Sequence, residues 1–116
     1  MMQAINAFKE ADKHEGPAII IAYAPCIEHG IKNGMTNSSH EEKLAVECGY
    51  TLLMHYDGKN HLDYKNPNFD KYEEFLDNEV RFNSLKIKNK KYADEILNMQ
   101  KENALERFNY YKNISE

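Results

Sequence analysis

Long apolar runs are missing from this sequence. No window approaches the roughly 20 consecutive apolar residues that a membrane span needs, and the N-terminus lacks the basic-then-apolar order of a secretory leader. A cytoplasmic setting is the expectation. A basic excess is missing too: 15 Lys and Arg against 19 Asp and Glu leave a net charge of -4, and the positive residues form no stripe. That argues against a nucleic-acid module and does not favour acidic substrates or anionic membranes as partners. Cysteine is scarce. Cys26 and Cys48, with 21 residues between them, make neither a CxxC pair nor a disulfide framework, which suits a reduced compartment. Internal repeats and low-complexity runs are absent. With 116 residues there is room for one domain and one modest core, less than most cofactor-binding α/β domains require, so the chain is expected to be part of something larger.

What is present centres on residues 18–24, Ala-Ile-Ile-Ile-Ala-Tyr-Ala, entered through the turn pair Gly16-Pro17 and closed by Pro25. Seven residues without polar alternation predict a strand covered on both faces, as in a parallel sheet between helical layers. Pro25 cannot donate to a ladder, so the strand stops there and Cys26 falls beyond its carboxyl end, where open α/β sheets collect ligands.

Before it, Ala4, Ile5, Phe8 and Ala11 recur at helical spacing and predict an amphipathic helix from Met1 to about Lys13, which begins with no capping residue before it. After it, residues 27–39 have loop composition. Ser39-His40-Glu41-Glu42 has the spacing of a capping box and predicts a short helix over 40–48 stopped by Gly49. Residues 50–56 read as a second strand ended by Asp57-Gly58, which with the first strand and the intervening helix implies a right-handed parallel crossover. Residues 58–69 read as a connecting arm, and the chain from Asp70 is helical in pattern, with Tyr72, Phe75, Leu76, Val80 and Leu85 on one side. A basic bend over 86–91 precedes a last helix, about 92–112, carrying Ile96, Leu97, Met99, Ala104, Phe108 and Tyr111.

By residue type alone, Cys26 is a metal ligand, a nucleophile or a buried small hydrophobe, and free cysteine is most often the last. Zinc and iron-sulfur sites usually take four protein ligands, and this chain offers no set of four. Cys26 with His29 as a thiol enzyme needs spatial contact and an orienting third group. Cys48, on the inward side of a short helix, reads as packing. His14, His40, His55 and His61 read as solvated, and the eight tyrosines as amphipathic packing residues.

Gly16-Pro17-Ala18-Ile19-Ile20-Ile21-Ala22-Tyr23-Ala24-Pro25-Cys26-Ile27-Glu28-His29-Gly30, followed in order by Lys43-Leu44-Ala45-Val46-Glu47-Cys48-Gly49-Tyr50, Lys65-Asn66-Pro67 and residues 73–85, resembles the C-terminal part of pyruvate:ferredoxin (flavodoxin) oxidoreductase. The resemblance covers most of the chain, and GP-x-hydrophobic-IAY-x-x-CI-x-HG is its most specific part. It implies an α/β fragment of a thiamine diphosphate-binding domain, with parallel strands and a helical C-terminal extension: residues 1–56 the C-terminal portion of that domain, residues 57–116 its connecting arm and last helices. The family converts pyruvate and coenzyme A to acetyl-CoA, using thiamine diphosphate, Mg2+ and 4Fe-4S clusters, and passes electrons to ferredoxin or flavodoxin, commonly as a homodimer. It further implies that Cys26 is a 4Fe-4S cluster ligand, with its companions supplied by the remainder of the oxidoreductase chain. The glycine-aspartate-glycine segment that holds magnesium and diphosphate has no counterpart here, so no catalytic or thiamine-binding residue is assigned and the fragment alone is expected to be inactive. A rival without catalysis is a small interaction module with amphipathic helices and Cys26 merely packed.

Overall fold

Phe75 is fully buried at the centre of a core that also takes in Leu44, Ala45, Cys48, Tyr72, Leu76 and Ala104. The computed structural model describes residues 2–115. Helix α1 spans Met2–Lys13, α2 Ser38–Glu47, α3 Tyr72–Asn78, α4 Val80–Lys88 and α5 Lys90–Ile114; strands β1, Met54–Tyr56, and β2, Asn60–Leu62, lie between α2 and α3. Helices α2, α3 and α5 contribute the buried side chains, and Tyr50 closes the cluster with its ring 4.5 Å from that of Phe75. Burying a side chain the size of Phe75 contributes about 1.5–3 kcal/mol.

Two predicted helices are refined by their ends. A 3-10 turn, Met35–Asn37, runs straight into α2 with Asn37 as N-cap and no side-chain capping bond, so Ser39 lies inside the first turn rather than flanking it. The capping box is therefore not made. Gly49 does end the helix, at φ 80°, and a Cβ there would lie 2.6 Å from Phe69 Cε1, which closes the position to any side chain. The helix expected from Asp70 onward is broken at Glu79, whose backbone is extended at φ -86° and ψ 118°. There Asn78 O accepts from Lys32 N–H at 2.7 Å, and Glu79 forms an antiparallel bridge with Ile31.

Residues 18–24 form no strand, and no parallel pair of strands occurs among the described residues. Residues 17–26 carry no regular secondary structure, with Ile19 and Ile21 87% and 94% exposed, and α1 has no buried residue. A strand covered on both faces needs a helical layer on each side, and neither face is covered here. Residues 50–53 also leave the expected second strand: Thr51 N–H donates to Ala45 O at 3.0 Å and Tyr50 O accepts from Arg107 Nη2 at 2.7 Å, so these backbone groups are taken. What remains, β1, pairs antiparallel with β2 inside the predicted arm, Met54 opposite Leu62 and His55 opposite His61. Asn60 also bridges Ser115, tying the hairpin to the end of α5. The radius of gyration, 15.9 Å, exceeds the about 13 Å of a compact chain this size.

Candidate functional site

The loop that carries Cys26 is fastened at both ends to one residue. On its entering side, Tyr23 donates its hydroxyl proton to Glu79 Oε1 and sets its ring against Tyr50 and Phe75, with centroids 5.8 and 6.4 Å away. On its leaving side, Ile31 is buried and bridges the Glu79 backbone, while Val80 N–H donates to Gly30 O at 3.3 Å. Glu79 is itself buried, and its Oε2 is 2.6 Å from Arg81 Nε. Burial and the Glu79 carboxylate together push the Tyr23 hydroxyl well above the usual phenol range, so it stays a donor.

Between those anchors, the irregular segment through Pro25 and Cys26 gives way to a turn over residues 27–29. Gly30 N–H closes the turn on Cys26 O at 2.9 Å, with Gly30 at φ 69°, a conformation that favours glycine. Cys26 is exposed at this tip, so it is not packed into the core. His29 is exposed on the same turn, and no hydrogen bond joins its ring to the Cys26 thiol among the described residues. The contact that a thiol enzyme requires is therefore not made.

Cys48 is the opposite kind of cysteine. It is fully buried, its Sγ reaches Ala45 O at 3.5 Å, and burial pushes its thiol up to about 11. It packs, as its helical position predicts. His14, His29 and His40 are exposed, whereas His55 and His61 are half-buried and stacked on each other across the hairpin.

Two buried carboxylates beside the loop escaped the sequence reading. Glu41 lines an open cleft of about 370 Å³ together with Ile31, Asn33, Asn37, His40, Glu74 and Asn78. Its Oε2 accepts from Asn78 Nδ2 at 3.2 Å, and its Oε1 has no partner. Burial, opposed by that hydrogen bond and reinforced by Glu79 and Glu74, raises its carboxyl to about 7. The capping-box pattern drew attention to Glu42, one residue along. Glu79 had a weaker signal still, since nothing in a continuous helical pattern marks the break at which it turns inward.

Among the described residues, no helix is long and apolar enough to cross a membrane. No protein-family model matches the chain. Against curated proteins, the pyruvate:ferredoxin oxidoreductase of Moorella thermoacetica is 42% identical over 122 residues, covering 98% of this chain and 10% of that protein. The chain is homologous to one segment of pyruvate oxidoreductases. The pyruvate-flavodoxin oxidoreductase of Klebsiella pneumoniae is 36% identical over 97% of this chain, and the mitochondrial pyruvate dehydrogenase (NADP+) of Euglena gracilis is 37% identical over 100% of it. The chain spans a tenth of the length of the first two and 7% of the third. The oxidoreductase resemblance carried by the Cys26 region thus extends along the whole chain, from α1 through α5.

Proposed function

We propose that this chain is a segment of a pyruvate:ferredoxin or pyruvate-flavodoxin oxidoreductase, and that its part in the enzyme is to present Cys26 as one ligand of a 4Fe-4S cluster. The observation that carries this reading is the exposed, unpartnered Cys26 on a loop whose two ends meet at Glu79. A four-iron cluster takes four thiolates, and the only other thiol, Cys48, is buried with its proton held. Cys26 therefore fits as a single ligand completing a set that the rest of the oxidoreductase chain provides. Bound thiamine diphosphate supplies the decarboxylation chemistry and the clusters carry single electrons onward.

The chain's own residues hold the thiol in place. Tyr23 and Ile31 fix the loop base, and Gly30 N–H is used inside the turn, so the N–H groups of Ile27, Glu28 and His29 are those left to face a ligated sulfur and tune it. Residues 1–56 and 57–116 belong to one thiamine diphosphate-binding domain, a placement supported by the core that Leu44, Phe75 and Ala104 share. Thiamine diphosphate and Mg2+ are held by other parts of a cytoplasmic homodimer, which takes pyruvate and coenzyme A to acetyl-CoA and reduces ferredoxin or flavodoxin.

The test is Cys26→Ser against Cys48→Ser in the full-length enzyme, read by iron content and by the low-temperature paramagnetic signal of the reduced protein. Cys26→Ser should lose one cluster's signal and slow electron transfer while decarboxylation suffers less. Unchanged clusters in Cys26→Ser, or cluster loss confined to Cys48→Ser, would remove the ligand assignment.

A further inference from the structure

We propose that the β1–β2 hairpin binds a divalent transition-metal ion of the zinc type, with His55, Asp57 and His61 as ligands. One nitrogen from each imidazole and a carboxylate oxygen of Asp57 already lie within 4.8 Å of one another. The strand register creates the pair: His55 and His61 stand directly opposite across an antiparallel ladder, so both side chains leave the same face. Their rings are 4.5 Å apart and within 12° of parallel. The turn then folds Asp57 back, bringing its Oδ1 within hydrogen-bond distance, 2.9 Å, of His61 Nε2. Ligands about 2.1 Å from a tetrahedral ion sit about 3.4 Å apart, so closure of the site replaces that hydrogen bond and needs side-chain rotation and no change of register.

A second carboxylate backs the first imidazole. Asp63 Oδ1 is 2.8 Å from His55 Nδ1, and Asp63 is itself held by its N–H donating to Leu53 O at 2.8 Å. A histidine that donates from Nδ1 to a carboxylate presents a basic Nε2, the arrangement that orients metal-bound imidazoles. Asp63 is thus a positioning residue. The pattern His-x-Asp occurs twice, as His55-Tyr56-Asp57 and His61-Leu62-Asp63, and its members pair crosswise, Asp63 with His55 and Asp57 with His61. Lys59 N–H also reaches Asp57 Oδ1 at 3.3 Å.

The donors choose the ion. Two imidazoles with one carboxylate suit Zn2+, Co2+ or Ni2+, whereas Ca2+ and Mg2+ take oxygen ligands. Three protein ligands leave one position for water. The ion would lock a hairpin whose strands have three residues each, too short to be stable alone.

The experiment is titration of the full chain with Co2+ and Zn2+. Expected are one saturable equivalent, weak cobalt d–d absorption without thiolate charge transfer, and Zn2+-dependent shifts of the His55 and His61 ring protons while those of His14, His29 and His40 stay in place. His55→Gln and His61→Gln should each weaken binding at least about 10-fold and Asp63→Asn about 10-fold, with Cys26→Ser neutral. The proposal is overturned by the absence of saturable binding to the unsubstituted chain, by a thiolate band that Cys26→Ser abolishes, or by unmoved His55 and His61 resonances.

Discussion

Phe8 and Phe75 each sit on a helix with an apolar stripe, yet Phe8 is 64% exposed and Phe75 is fully buried. The same contrast runs through the whole molecule. Residues 2–22 carry the most apolar stretch of the chain and leave it bare, whereas α2, α3 and α5 carry weaker patterns and bury them against one another. Patterning tells which face of an element wants cover; only a partner surface in the same chain or assembly supplies it. The packed half has its partners within 60 residues. The N-terminal stretch, residues 2–22, finds no such partner among the described residues.

The largest expected effect tests the packed side. Phe75→Ala should destabilise the chain by about 3–5 kcal/mol in urea unfolding, while Phe8→Ala, on the bare helix, should stay within about 0.5 kcal/mol. Equal losses would erase the distinction between the halves.

Next is Glu41. Its folded carboxyl titrates at about 7 against an ordinary 4.5, so between those values the folded chain keeps a proton that the unfolded chain has released. Stability should therefore fall as pH rises from 4.5 to 7 and level off above, by up to roughly 3 kcal/mol at 1.36 kcal/mol per pH unit. Glu41→Gln should flatten that slope and be more stable than the parent at pH 8, as unfolding curves at pH 5 and pH 8 would show.

Smaller effects probe the joint between the two halves. Tyr23→Phe keeps the ring packing and deletes the donor to Glu79, costing about 1.5 kcal/mol and raising amide exchange over residues 18–31 more than in α5. Cys48→Ser should cost about 1 kcal/mol, because a hydroxyl replaces a thiol that fits an apolar site. Last, Ile19→Lys with Ile21→Lys should leave unfolding stability unchanged while lowering self-association in sedimentation, since both side chains lie in solvent.

Helix positions were legible in the sequence because their signals are local. The spacing of Ala4, Ile5, Phe8 and Ala11 predicts α1, Gly49 ends α2, and Ala104 and Phe108 mark the inward side of α5, although Met99, on the same predicted stripe, faces out. Strands were less legible. An apolar run such as residues 18–24 says that cover is wanted and not whether it is present, and Tyr50 and Thr51 lose their place in a strand to hydrogen bonds with the Arg107 guanidinium and the Ala45 carbonyl, far off in sequence or around a helix end. At the site, Pro25 marked Cys26 as lying past the end of a regular segment, although the strand expected before it is not formed. The clamp at Glu79, 56 residues beyond Tyr23, and the stacked histidines of the hairpin depend on tertiary pairing that no local pattern encodes.

The distance between Tyr23 and Glu79 has a consequence for how the protein is made. At about 5–20 residues per second, a ribosome needs roughly 3–11 s to add the 56 residues that separate tyrosine from its acceptor. Throughout that interval Tyr23 lacks the acceptor for its hydroxyl, although Ile31 and Tyr50 are made before Glu79. The isoleucines at 19 and 21 gain no cover when the clamp closes, since both remain exposed in the folded chain, so a translational pause before codon 79 should delay fastening of the Cys26 loop without changing their exposure.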